Sequence, residues 1–388
     1  MVIPGRMGMR TRLICILGAE TPSGKRTLHL PVRLSAGAIA QTIRTLHHGS
    51  MPTPRCLIMI CAWLAVAPAA ASPLFERDEV IEVELIGPMH SLLGSKKNRA
   101  EFPFVLRSGG ETLDIEVRLR GKSRLELCSF PPLRLDFEPG RPRQGPFVGQ
   151  DKLKLVTHCR DGRRAQTDAI EEYLAFRIFG LLTEVGYRVR LLRIAYSDTE
   201  GRVETNSQGR FGFVIEPLDG LAERVGGVVL EIGGVALSRL DPEHAALVYV
   251  FQYLIGNTDW SLVAPEQEEV CCHNGDLLDI GGAVNYVPYD FDLAGIVNAR
   301  YAKPLPQMRL RSVRQRRYRG FCTEPETLRS AIRQVNARRN DIHEIIRSAP
   351  GLSEKDAEDI MDYLETYFER ARDEDKLLRS FERACIDG

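Results

Sequence analysis

Three carboxylates stand at the ends of apolar runs. Asp259 follows "YLIGNT", and Asp290 and Asp292 follow "NYVPY" about thirty residues later. A carboxylate at the mouth of an apolar segment is costly if buried alone, so it pairs, binds a cation or takes up a proton. Asp290 and Asp292 are two apart in "DFD". If the strand continues through them, both project to one side and offer hard oxygens to Mg²⁺ or Mn²⁺. The competing reading is a turn that uses Asp for local hydrogen bonds. Asp259, in the loop "GNTDWS", is placed to accept a proton from a hydroxyl nucleophile, or else caps its own loop. Asn274 in "CCHN" is a further metal ligand or a turn residue. No second Cys/His cluster accompanies it to complete a four-ligand zinc site.

The elements that must position these residues change character along the chain. "VIEVELI", "FPFVLR" and "LDIEVRLRG" alternate apolar and polar residues, "SGGE" is a hairpin turn between the last two, and "FPPLRLDF" and "KLKLVTHC" read as further strands. Residues 168–186 have Ile170, Leu174, Ile178, Leu181 and Val185 at helical spacing, with Gly186 as a stop. "YRVRLLRIAYSD" and "GRFGFVIE" return to strand. Beyond residue 220 the pattern is helical. A helix over 241–257 opens with an Asp cap and Pro at the first position, and another over 353–372 opens on Ser353 and Asp356. The expected architecture is α+β: a β-rich N-lobe over 75–218 and a helical C-lobe over 219–388.

The order of parts is more specific than any single motif. A strand with Lys, a helix with Glu and a strand ending in Glu are followed by a helix, an Asp loop, an Asn and a strand with Asp. That is the order of a two-lobed protein-kinase-like phosphotransferase. In such an arrangement Lys154, with Lys152 on the same face, draws in the nucleotide phosphates. Glu172 pairs with Lys154, and Glu216 sits where a hinge meets adenine. No GxGxxG loop is present. "RGKSR" takes its place, with Gly121 permitting close backbone approach and Lys122 or Arg124 meeting phosphate.

The segments "LRGKSRLELCSFPPLRLDF", "GQDKLKLVTHC", "EEYLAFRIFGLLTEVGYRVRL", "FGFVIE", "GNTDW", "HN" and "VPYDFDLAG" together resemble the CotH-type secreted kinase family, and more nearly an exported bacterial branch of it. The resemblance spans about residues 118–300. It implies an atypical kinase fold, ATP, a divalent metal and transfer of phosphate to protein hydroxyls. It assigns Lys154 to the nucleotide, Asp259 to the catalytic loop, Asn274 to the metal and Asp290 to the main metal contact. Two departures stand out. Asp259 and Asn274 are fifteen residues apart, with "APEQEE" between them, where ordinary kinases keep five. "DFD" also stands where "DFG" is usual, which makes Asp292 an extra ligand or a structural substitute. A displaced Asn274 would leave a non-catalytic binding or scaffold protein. Water in place of the hydroxyl would make the same carboxylates a metal-dependent hydrolase.

The 388 residues carry zero formal charge, but residues 1–71 hold eight Lys/Arg and one Glu of the chain's 52 and 52. The remainder therefore has 44 basic and 51 acidic residues, a net −7, which argues against a general nucleic-acid binder. "MPTPRCLIMICAWLAVAPAAAS" has the plan of a signal peptide starting at Met51 and cleaved after Ala71. Residues 1–50 then form an upstream extension, disordered or not translated. The expected location is periplasmic or secreted, with no transmembrane span in the mature chain. Its six cysteines are an even number, and Cys128–Cys159 and Cys322–Cys385 are the favoured pairs. Residues 300–322 hold eight Lys/Arg and no acid. The run Arg309–Arg319 is either a docking surface for an acidic protein substrate or a solvated face.

Overall fold

A computed structural model describes residues 73–388, except 139–141, 143, 205–207 and 265–269. The expected signal peptide and upstream extension, and most of the acidic insert, lie outside the described residues. Seven strands come first: β1 (Ile81–Gly87), β2 (Phe102–Ser108), β3 (Glu111–Leu119), β4 (Leu133–Phe137), β5 (Lys152–Val156), β6 (Val189–Asp198) and β7 (Arg210–Ile215). Helix α1 (Met89–Gly94) follows β1, the short α2 (Ser123–Leu127) follows β3, and α3 (Arg163–Leu182) joins β5 to β6.

These strands close into a barrel in the order β1-β2-β3-β4-β5-β7-β6. Neighbours pair antiparallel except at the seam, where β1 and β6 run parallel from Ile81↔Leu192 to Gly87↔Asp198. Alternation drives the closure: β1 and β4 bury every second residue, and those side chains fill the barrel. Leu85, Leu106, Val117, Leu135, Leu155 and Val214 lie in this interior core.

The rest of the chain forms α4 (Leu218–Val225), β8 (Val228–Leu230), α5 (Pro242–Ile255), β9 (Gly275–Ile280) and β10 (Ala283–Pro288), then α6 (Pro325–Ala337), α7 (Arg339–Arg347), α8 (Glu354–Ala371) and α9 (Glu374–Glu382). Strands β10, β9 and β8 make a separate three-stranded sheet. The expected two-lobed protein-kinase-like fold, a β-rich N-lobe over a helical C-lobe, is not what forms. The β-rich part is a closed mixed barrel, and the later part carries its own sheet. A second core runs from Val156 to Phe381 and crosses the expected lobe boundary between residues 218 and 219. In it Phe176 of α3 packs edge-on against Phe213 and Phe291 at 5.6 and 4.7 Å. Alternation marks strands but is the same for an open and a closed sheet, and the β1–β6 seam joins segments more than 100 residues apart.

Helix α5 is buried from His244 to Ile255, as suits a helix apolar on every side. Asp241 caps it by accepting from His244 N at 2.8 Å, and Gly256 ends it in the left-handed conformation. A Cβ on Gly256 would lie 1.9 Å from the Tyr363 hydroxyl, so the stop is fixed by packing as well as by φ. Ser353 and Asp356 form a reciprocal capping box on α8. Cys128–Cys159 and Cys322–Cys385 lie at disulfide distance, as do Cys271 and Cys272. Among the described residues no helix is long and apolar enough to cross a membrane.

Two substitutions probe this construction. Leu135→Ala, at 1 % exposure in the barrel, is expected to lower urea-unfolding stability by roughly 2–5 kcal/mol. Ser353→Ala is expected to lower it by only about 1 kcal/mol. A Leu135→Ala loss no larger than that of Ser353→Ala would show that the barrel interior is loosely packed.

Candidate functional site

The loop after α5 sets the first group of residues. Asn257 Oδ1 accepts the Asp259 N–H at 2.9 Å, so Asp259 does sit in a side-chain-closed turn. Its carboxylate nevertheless faces away from that turn. The Asn274 amide donates to Asp259 Oδ2 at 2.9 Å and to the Asp259 carbonyl at 2.6 Å, and His273 Nε2 lies 2.9 Å from Oδ1. The long sequence separation therefore does not displace Asn274 from Asp259. Asn274 has a φ of 52°, a left-handed conformation that Asn tolerates well. It is clamped by its own carbonyl, which accepts from Tyr289 N at 3.0 Å and the Tyr286 hydroxyl at 2.8 Å. That backbone bond ties the residue before Asp290 to Asn274.

The second group is built on Arg124. Its Nη1 and Nη2 grip Glu172 Oε2 and Oε1 at 2.9 and 2.8 Å, a planar fork on a carboxylate. Nη2 also donates to Asp290 Oδ1, and Nε lies 3.0 Å from Asp292 Oδ2. The Tyr301 hydroxyl donates to the same Asp292 oxygen at 2.9 Å. Three carboxylates thus meet one guanidinium, and each responds differently. Burial pushes Asp292 up to about 8, only partly offset by Arg124 and reinforced by Asp290 and Glu172. Asp292 also hydrogen-bonds to Asp290. Burial also opposes ionisation of Asp290, but Arg124, Arg120 and the Asp292 hydrogen bond together outweigh it and hold this carboxyl below its ordinary range. For Glu172 burial wins over Arg124, and the value is raised.

Asp290 and Asp292 do not converge by strand alternation, as the sequence suggested. Strand β10 ends at Pro288, and Asp290 takes a left-handed φ of 60°. The kink lets both acids reach Arg124 while Phe291 between them is fully buried against Phe176 and Phe251.

Lys154 projects from β5 over the Tyr289 ring, 5.2 Å from its centre. Burial holds its ammonium below the ordinary lysine value, with Asp276 and Asp290 opposing and Arg120 adding to the depression. Asp276 accepts a hydrogen bond from the Tyr187 hydroxyl. Lys154 is thus near Asp290, but Glu172 is not its partner: Arg124 has that carboxylate. A planar fork matches both carboxylate oxygens at once, which an ammonium does not.

Other expected residues fall elsewhere. Lys152 is exposed and lies 3.7 Å from Asp151. Gly121 has a φ of 96° and leads into α2, so its freedom serves the turn that delivers Arg124. Lys122 is the exposed residue that precedes α2. The Glu216 carboxylate is held by Arg224 at 3.0 and 2.8 Å and by Arg188 N at 3.0 Å, and its own N–H bonds Arg188 O. With these groups committed to the fold, Glu216 has no carboxylate or N–H to offer an adenine.

Within Arg309–Arg319, Arg316 donates to Leu254 O and Tyr363 O, and Arg319 to the Thr258 and Trp260 carbonyls. These two arginines brace the Asp259 loop, while Arg309, Arg311, Arg314 and Arg317 remain exposed. His273, Arg120, Asp276 and Tyr301 were missed from sequence. Only His273, adjacent to Asn274, carried a signal that could have found it.

For a hard divalent cation, the donor types of Asp290, Asp292 and the Asn274 amide fit. No three His, Cys, Asp or Glu side chains surround one metal position among the described residues. Arg124 already takes the aspartate oxygens that a cation would use.

A second acid pair lies one turn along α3. Glu171 and Asp168 share Arg164 at 2.8 Å each, and burial pushes them up to about 8 and about 6. A carboxyl raised on folding costs no stability below its unfolded value, and the cost grows as pH rises towards the folded value. For Glu171 that cost is on the order of 5 kcal/mol, complete above pH 8. The melting temperature is therefore expected to fall between pH 5 and pH 8, and to fall less in Glu171→Gln; parallel melting curves for the two would contradict this. No family model matches this sequence, and no curated protein matches it.

Proposed function

We propose that this chain is an ATP- and divalent-metal-dependent phosphotransferase acting on a hydroxyl acceptor outside the cytosol, as its resemblance to CotH-type secreted kinases implies. One observation carries the reading: the Asn274 amide meets Asp259 at 2.9 Å, and the Asn274 carbonyl ties down the segment that presents Asp290. Asp290 in turn lies near Lys154. The reading rests on these contacts and takes nothing from the overall fold.

Asp259 accepts the acceptor hydroxyl's proton, with its oxygens aimed by His273 and Asn274. A positioned base of this kind contributes roughly 10²–10⁴-fold. Lys154 and Arg120 present positive charge to the nucleotide phosphates, where fixed charge in a partly dry site is most effective. Asp290, Asp292 and the Asn274 amide would hold the metal ion, which supplies charge neutralisation on the phosphates when bound. A second reading, a non-catalytic envelope scaffold, is favoured by Arg124 occupying the oxygens of Asp290 and Asp292.

Transfer from radiolabelled ATP with Mg²⁺ or Mn²⁺ is expected to fall at least ~100-fold in Asp259→Asn. A comparable fall is expected in Lys154→Met. Equal labelling by wild type and Asp259→Asn would remove Asp259 from the chemistry and leave the scaffold.

A further inference from the structure

Resting on that metal-assisted reading, we propose that Arg124 is a gate: its guanidinium occupies oxygens of Asp290 and Asp292 that a divalent ion would use, and the ion enters only when it withdraws. A count of donors separates this role from that of a phosphate clamp. A guanidinium has five N–H groups. Nη1 spends one on Glu172, Nη2 spends two on Glu172 and Asp290, and Nε faces Asp292. One N–H remains, too few for bidentate capture of a phosphate. The side chain is 9 % exposed, so it is lodged among the acids and does not wait in solvent for a ligand.

Access is one-sided, because the Asp290 side chain is 39 % exposed while those of Glu172 and Asp292 are 3 % and 8 % exposed. An ion therefore arrives at Asp290 first and competes with Arg124 for it.

Withdrawal does not strand a buried charge. If Arg124 gives up Asp290 and Asp292, the two-pronged bond to Glu172 survives and keeps the guanidinium paired. Glu172 thus acts as the parking position for the gate. Helix α2, which carries Arg124, is only five residues long and is entered through Gly121 at a φ of 96°, so the turn preceding it has few side-chain constraints.

The test uses the mature chain and Mn²⁺ alone, with bound ion counted by electron paramagnetic resonance. Arg124→Gln is expected to bind Mn²⁺ at least tenfold more tightly than wild type. Arg124→Lys, which keeps the charge but loses the fork, is also expected to bind more tightly, which separates unblocking from a change in charge. In wild type, Mn²⁺ is expected to raise phenylglyoxal modification of Arg124, read by peptide mass spectrometry, several-fold. That measurement decides the matter even if the variants do not fold. Mn²⁺ held through Asp290 with equal affinity in folded wild type and Arg124→Gln, or held with Arg124 labelling unchanged, overturns the gate and leaves the metal reading intact. No Mn²⁺ bound to any of the three at millimolar concentration overturns both.

Discussion

The pairing of one buried guanidinium with three acids holds this molecule's parts in register. Arg124 comes from the helix after β3, Glu172 from α3, and Asp290 and Asp292 from the segment leaving β10. Barrel, connecting helix and small sheet are therefore joined at a single side chain. Removing one member of such a group leaves its partners buried and uncompensated, so all four are constrained together. Burial raises Glu172 and Asp292 above the ordinary carboxylate range, while Arg124 and Arg120 together help hold Asp290 below it.

Around this centre, ordinary packing does the positioning. Phe291 is buried on Phe176 and Phe251, and that anchor turns the chain so that the acids on either side face Arg124. Helix α5, buried on all sides, fixes the start of the Asp259 loop, while Arg316 and Arg319 satisfy the carbonyls that the end of the helix and the loop expose. Arginines that a sequence reading assigns to a docking surface are thus partly devoted to backbone hydrogen bonding.

What could be read from sequence follows local rules. Asp241 and Pro242 start α5, Ser353 and Asp356 start α8, and alternating residues mark the first three barrel strands; each signal lies within a few residues of its effect. Barrel closure depends on a ladder between distant segments, and nothing in either strand names the other. The choice of Arg124 over Lys154 as the partner of Glu172 is equally non-local, since both cations lie on plausible elements and only geometry decides. The kink at Asp290 escaped because Asp at positive φ is uncommon and an apolar strand suggested continuation. The Asp259–Asn274 contact could be anticipated as an order of residues but not as a distance.

The bridge between Cys128 and Cys159 ties the residue just after α2 to the short stretch between β5 and α3. It spans the two chain segments that deliver Arg124 and Glu172. While those thiols stay reduced, as they would among cytosolic reductants, the segments lack their covalent strap and meet only by folding. Oxidation of this pair adds the strap, so the redox state of two thiols bears on how firmly the two segments are held together.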